Sequence, residues 1–140
     1  MYEKGPSIRH KFEGNIFDGM RLRDLLEALE AAPRGCKVAF DNGELPGEFH
    51  SYRGYYDEAC LAEGHEEITA AQLKKKLKKF IGSTQRGWKG GEFEMYPETP
   101  LWRADNGRTG YRIVHAHLRN GGVGTGKWNV LILCVDVNWN

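Results

Sequence analysis

At 140 residues the chain carries one domain's worth of sequence, long enough to bury a single core of ordinary size and too short for two. A formal charge of +1, with 40% hydrophobic and 28% charged residues, excludes a protein drawn to nucleic acid or a membrane by net charge, so any electrostatic partner has to be met locally. No run approaches the roughly 18 apolar residues of a membrane helix, and the opening MYEKGPSIRHK lacks the apolar centre of a signal peptide, so the expected compartment is the cytoplasm.

Residues 1–18 mix charge, Gly5, Pro6 and Gly14 with isolated apolar residues, the pattern of an arm holding at most a short strand. From Met20 the apolar residues Met20, Leu22, Leu25, Leu26 and Leu29 recur at helical spacing, which predicts an amphipathic helix of about three turns. Asp18 is the expected N-cap, and Pro33 with Gly35 ends the helix. Val38, Ala39 and Phe40 read as a strand running into the turn Asp41-Asn42-Gly43. Two further extended segments, 49–56 and 58–62, break around Gly54.

The second helix is better specified. Thr69 and Gln72 fit a capping box, Ile68 and Leu73 a hydrophobic staple, and Gly82 the residue just past the end. Leu73, Leu77, Phe80 and Ile81 form its apolar face, while Lys74, Lys75, Lys76, Lys78 and Lys79 read as a solvated surface. Two strands follow at 111–118 and 128–137. In the second, Leu131, Leu133 and Val135 face one side and Val130, Ile132 and Cys134 the other, so it belongs in the middle of a sheet. Residues 120–127 then form a glycine-rich hairpin loop, and the C-terminal half is antiparallel. The expected fold is one α+β domain, an antiparallel sheet of roughly four to six strands with two amphipathic helices packed on it.

No catalytic constellation emerges. Residues 121–127 satisfy GxxxxGK, but Trp128 stands where a magnesium-holding Ser or Thr belongs, and a strand follows instead of a helix. His115 and His117 share one face of a strand with Asp136 or Cys134 in reach, yet no third histidine or HExxH supports a metal site. Cys36, Cys60 and Cys134 form no CxxC pair and read as reduced thiols. The expectation is a non-enzyme without metal or cofactor.

The chemistry gathers in segments 41–57 and 87–108. Ser51-Tyr52-Arg53-Gly54-Tyr55-Tyr56 sets a guanidinium, suited to a bidentate grip on phosphate or carboxylate, between aromatic rings. Lys89 adds a cation beside Gly90 and Gly91, whose bare backbone admits a close ligand. Trp88, Phe93, Tyr96 and Trp102 offer stacking surfaces for a base, with Arg103 or Arg108 near in sequence. The plainer alternative is that the aromatics are core and the arginines pair with surface acids.

In order along the chain stand FDNG from Phe40, SYRGYYDEACLA from Ser51, GSTQRGWKGGEFEM from Gly82, TPLW from Thr99 and DNGR from Asp105. This series resembles a group of small proteins of tailed bacteriophages and prophages, over most of the chain, with departures at Cys60, Trp88 and the glycine-rich loop. Within that resemblance the chain is similar to phage anti-Thoeris proteins, which sequester cyclic ADP-ribose-type immune signals without cleaving them. The resemblance implies an anti-defence sponge. Phosphates would be held by Arg53, Lys89 and Arg108, a base stacked on Tyr52, Phe93 or Trp102, and the contacts completed by Gly90, Gly91 and Asn106. The alternative function is direct inhibition of a defence enzyme, such as a CRISPR or restriction nuclease, through the same aromatics and arginines. The expected partner is thus a small nucleotide-like ligand or a host defence protein, not nucleic acid or membrane, and a homo-oligomer is compatible with either.

Overall fold

The computed structural model describes residues 4–7, 19–52, 55–86, 91–104, 110–120 and 129–136, with 4–7 and 55–57 given by their backbone alone. Helix α1 (Leu22–Ala31) buries Leu22, Leu25, Ala28 and Leu29, as its spacing requires. It starts later than the expected cap at Asp18, which lies outside the described residues. The reason is that the sheet claims the residues just before it: the Met20 amide donates to Ile113 O at 2.7 Å, and Arg21 forms a bridge with Pro100. Arg21 is therefore extended and becomes the N-cap, its amide donating to Asp24 Oδ2 at 2.7 Å.

Helix α2 (Ala70–Phe80) begins where the sequence says. The Gln72 amide donates to Thr69 Oγ1 at 3.2 Å and the Thr69 amide to Gln72 Oε1 at 3.0 Å, a reciprocal capping box. Leu73, Leu77 and Phe80 are buried, and Phe80 stacks on Phe49 with ring centroids 5.4 Å apart. Gly82 takes the left-handed conformation at φ +87 and donates its amide to Met95 O at 2.6 Å, which ends the helix.

The strands are β1 (Lys4–Ser7), β2 (Lys37–Phe40), β3 (Leu45–Tyr52), β4 (Tyr55–Gly64), β5 (Thr84–Arg86), β6 (Glu92–Glu94), β7 (Leu101–Arg103), β8 (Tyr111–Arg119) and β9 (Val130–Val135). The main sheet runs β2-β9-β8-β7-β4-β3, while β5 and β6 form a separate hairpin. On one edge β8 pairs with β9; on the other it pairs with β7 near Tyr111 and with β1 near His117. As its two apolar faces require, β9 lies between two partners.

The expectation of an antiparallel sheet is corrected to a mixed one. The C-terminal pairs are antiparallel, but β2 runs parallel to β9 and β4 parallel to β7. Parallel neighbours need a long crossover, and α2 with the β5–β6 hairpin supplies the one from β4 to β7. The main sheet also has seven strands, beyond the range expected.

Strands β2 and β3 end the sheet order on opposite sides, yet only residues 41–44 separate them in the chain. The Phe40 amide donates to Glu44 O at 2.8 Å, and Gly43, at φ +89, donates its amide to Phe40 O at 2.9 Å. The sheet therefore curls until its two ends meet. Arg103 of β7 spans this seam, its guanidinium 4.2 Å from the Phe40 ring centroid and 2.9 Å from Glu44 Oε1. One face of the curl, with Phe40, Leu61, Leu101, Ile113, Leu131 and Leu133, joins the buried faces of both helices in the principal core. Among the described residues no helix is long and apolar enough to cross a membrane.

Two measurements test this arrangement. Leu133 is fully buried, so Leu133→Ala should lower stability by about 2–5 kcal/mol in urea unfolding, and a near-neutral change would mean that the β9 faces are reversed. The Glu44 carboxyl is held below its ordinary value, first by the Arg103 hydrogen bond and then by those with Glu63 and Asn42. A lowered carboxyl stabilises the fold above its ordinary value and loses that contribution as pH falls through the lowered one. Glu44→Gln should therefore flatten the acid limb of the stability curve; an acid limb identical to the parent's would contradict the seam.

Candidate functional site

The face of the sheet turned away from the helices has its own small core of Tyr52, Cys60, Trp102 and Ala104. Strand alternation puts them there: Leu101 points to the helices, so Trp102 points away, as do Cys60 and Arg112, its register partners on β4 and β8. Tyr52, the last residue of β3, lays its ring on Trp102 with centroids 4.4 Å apart and planes within 5°. The Trp102 indole N–H donates to Glu58 Oε1 at 2.6 Å, and the Tyr52 hydroxyl accepts the Gly110 amide at 2.9 Å. Arg112 places its guanidinium 5.5 Å from the Trp102 ring centroid, donating Nε to Leu101 O at 3.3 Å and Nη2 to Met20 O at 3.1 Å. Each polar tip in this apolar layer thus has a partner, the condition for burying tyrosine, tryptophan and arginine together.

Tyr52 and Trp102, both expected to face a ligand, are 1% and 7% exposed and spend a ring face on each other. They form a rigid support. Gly110 belongs to it as well, because a Cβ there would stand 1.8 Å from Arg103 O; only glycine fits.

Of the remaining expected residues, Arg53, Lys89, Gly90, Asn106 and Arg108 lie outside the described residues, as do residues 121–128 with the phosphate-loop-like motif. Their chain neighbours are placed. Arg53 directly follows Tyr52, and Asn106 and Arg108 fall between Ala104 and Gly110, so the Tyr52 to Gly110 hydrogen bond ties their points of attachment together. Gly91 is exposed, and Phe93 of β6 is half-buried against the helix-side core, separate from the Tyr52–Trp102 stack. The structure thus joins Tyr52 with Trp102 and sets Phe93 apart.

His115 and His117 share a face, with ring centroids 5.5 Å apart. His117 is 3% exposed; its Nε2 accepts Arg119 Nε at 2.8 Å, and its Nδ1 lies 3.7 Å from Cys134 Sγ. Among the described residues no three His, Cys, Asp or Glu side chains are grouped to hold a metal. Cys36 and Cys60 are buried, and burial pushes the Cys36 thiol up to about 11, which keeps it protonated and unreactive at neutral pH.

A feature absent from the sequence reading is a groove of about 940 Å³ between α2 and the outer end of the β3–β4 hairpin. Gln72, Lys75, Lys76 and Lys79 form its helix wall; Gly47, Glu48, His50, Glu63, Gly64, His65 and Glu66 line the side opposite. The lysine spacing was visible as one stripe of a helix, but the wall it faces is made by tertiary structure.

No family model, curated protein or solved structure matches this chain.

Tyr52→Phe removes the acceptor of the Gly110 amide while keeping the ring stack. It should lower stability by about 1–3 kcal/mol in chemical denaturation, as expected for a donor left unsatisfied. No loss would show that this amide is satisfied without the tyrosine.

Proposed function

We propose that the protein is a non-enzymatic binding protein that holds an anionic, nucleotide-like ligand of the cyclic ADP-ribose type and releases it unchanged, an anti-defence sponge as the motif series implies. The observation that carries this reading is the hydrogen bond from the Gly110 amide to the Tyr52 hydroxyl, on a ring locked against Trp102. It anchors at one corner the chain from which Arg53 departs and one end of the segment holding Asn106 and Arg108. Arginine grips phosphate bidentately, and cations carried on a rigid support lose less freedom when a ligand arrives. Lys89, Gly90 and Gly91, in the chain between β5 and β6, belong to the proposal through the motif series alone.

Tyr96 and Tyr111, 55% and 46% exposed, favour a second reading, direct inhibition of a defence enzyme such as a nuclease, since tyrosine is a frequent anchor of protein interfaces. A thermal-shift measurement with cyclic ADP-ribose separates the two. Ligand at a hundred times its dissociation constant should add about 2.7 kcal/mol of stability. Heating should return the ligand intact, and Arg53→Ala should abolish the shift. A cleaved product would make the protein an enzyme, and no shift together with a stoichiometric partner from host lysate would establish the inhibitor.

A further inference from the structure

Strand β3 carries one residue more than β4 between two points of their pairing: Pro46 faces Glu63 and Phe49 faces Leu61. This bulge falls at Gly47 and Glu48, and bulges re-aim the side chains around them. Here Phe49 keeps its place in the core against Phe80, while Glu48 reaches Lys76 across the groove. Beside the bulge Gly47 and Gly64 touch, a Cβ on either lying 2.9 Å from the other's Cα. Glycine at both positions thus lets the two backbones meet beside the groove.

The helix wall opposite is cationic. Lys75 and Lys79 are one turn apart, and Lys76 shares their side of α2. Lys76 is paired with Glu48, but neither Lys75 nor Lys79 has a carboxylate within 4.0 Å among the described residues. The side opposite presents the carboxylate acceptor Glu66 and the imidazoles of His50 and His65, while Glu63 is hydrogen-bonded to Glu44. The buried residues Ala62 and Ile68 supply apolar lining. The Lys76–Glu48 pair across the groove is solvent-exposed, and pairs of that kind are worth about 0–1 kcal/mol, so a bound anion can displace it.

A ligand matching both walls carries phosphate at one end and hydroxyl or amine donors at the other, with a flat or apolar part between. The volume, about 940 Å³, lies in the range of small-molecule sites. We infer that the groove between α2 and the β3–β4 hairpin is a binding site for a phosphorylated nucleoside, with its phosphates on Lys75 and Lys79 and its sugar or base donors on Glu66. Lysine serves here as a point charge for phosphate, and the Glu66 carboxylate accepts from the ribose hydroxyls or an exocyclic amine. This site is separate from the one proposed at Arg53 and does not depend on it.

Calorimetry with ADP tests the assignment, with inorganic pyrophosphate as the probe that lacks the nucleoside. ADP should bind saturably and shift the backbone amide resonances of Gly47 and Gly64. The double variant Lys75→Glu, Lys79→Glu should weaken ADP roughly tenfold or more, and Glu66→Gln should weaken ADP but not pyrophosphate. Arg53→Ala should leave ADP binding intact, so failure of the sequestration reading and failure of this one are told apart. ADP that never saturates, or binding indifferent to the lysine reversals, would overturn the inference. Pyrophosphate binding as tightly as ADP would overturn its nucleoside half.

Discussion

Residues 41–44 impose the constraint on which the rest of the structure depends. A connection this short between the first and last strands of the sheet order forces the sheet to curl, and the sequence meets the demand with Gly43 at positive φ. Asp41 fastens the turn to the neighbouring strand: its amide donates to Leu133 O at 3.0 Å, and its carboxylate accepts the Val135 amide at 3.3 Å. Arg103 then spans the seam between Phe40 and Glu44. Curling gives each strand two unlike faces, one packed on the helices and the other free to build a second, smaller layer.

That second layer is where polar chemistry sits on apolar support. Stacking Tyr52 on Trp102 withdraws two large rings from water, and the hydrogen bonds to Glu58 and Gly110 remove the penalty of burying their polar tips. Arg112 ties the layer down by donating to Leu101 and Met20 carbonyls on two other segments. In consequence Tyr52 and Gly110, next in the chain to residues of the proposed site, are held to each other.

What could be read from the sequence was what local spacing determines. Thr69 and Gln72 cap α2 because both partners lie within one turn, and the alternation of Leu131 with Ile132 marks β9 as central because period and burial are local signals. Asp18 fits the rule for the N-cap of α1, but Arg21 takes that place because the backbone of Met20 and Arg21 is bound by partners 93 and 79 residues away. The parallel pairing of β4 with β7 is likewise long-range. At the site, composition singled out Tyr52 and Trp102, but the contact that gives them their role joins residues 50 apart. The groove is not legible in the sequence for a related reason: Lys75 and Lys79 fit a solvated helix face, and the bulge at Gly47 on the opposite wall leaves no mark in hydrophobic period.

The Tyr52–Trp102 layer is proposed as the base of a ligand site. Its most direct test is the nitrogen-15 NMR spectrum of the protein titrated with cyclic ADP-ribose, with the Trp102 indole resonance assigned by its loss in Trp102→Phe. The indole N–H held by Glu58 and the Gly110 amide held by Tyr52 report on the layer from both ends. Both resonances should shift together and saturate at one ligand per chain. Ligand binding that moves other amides and leaves these two unchanged would contradict it.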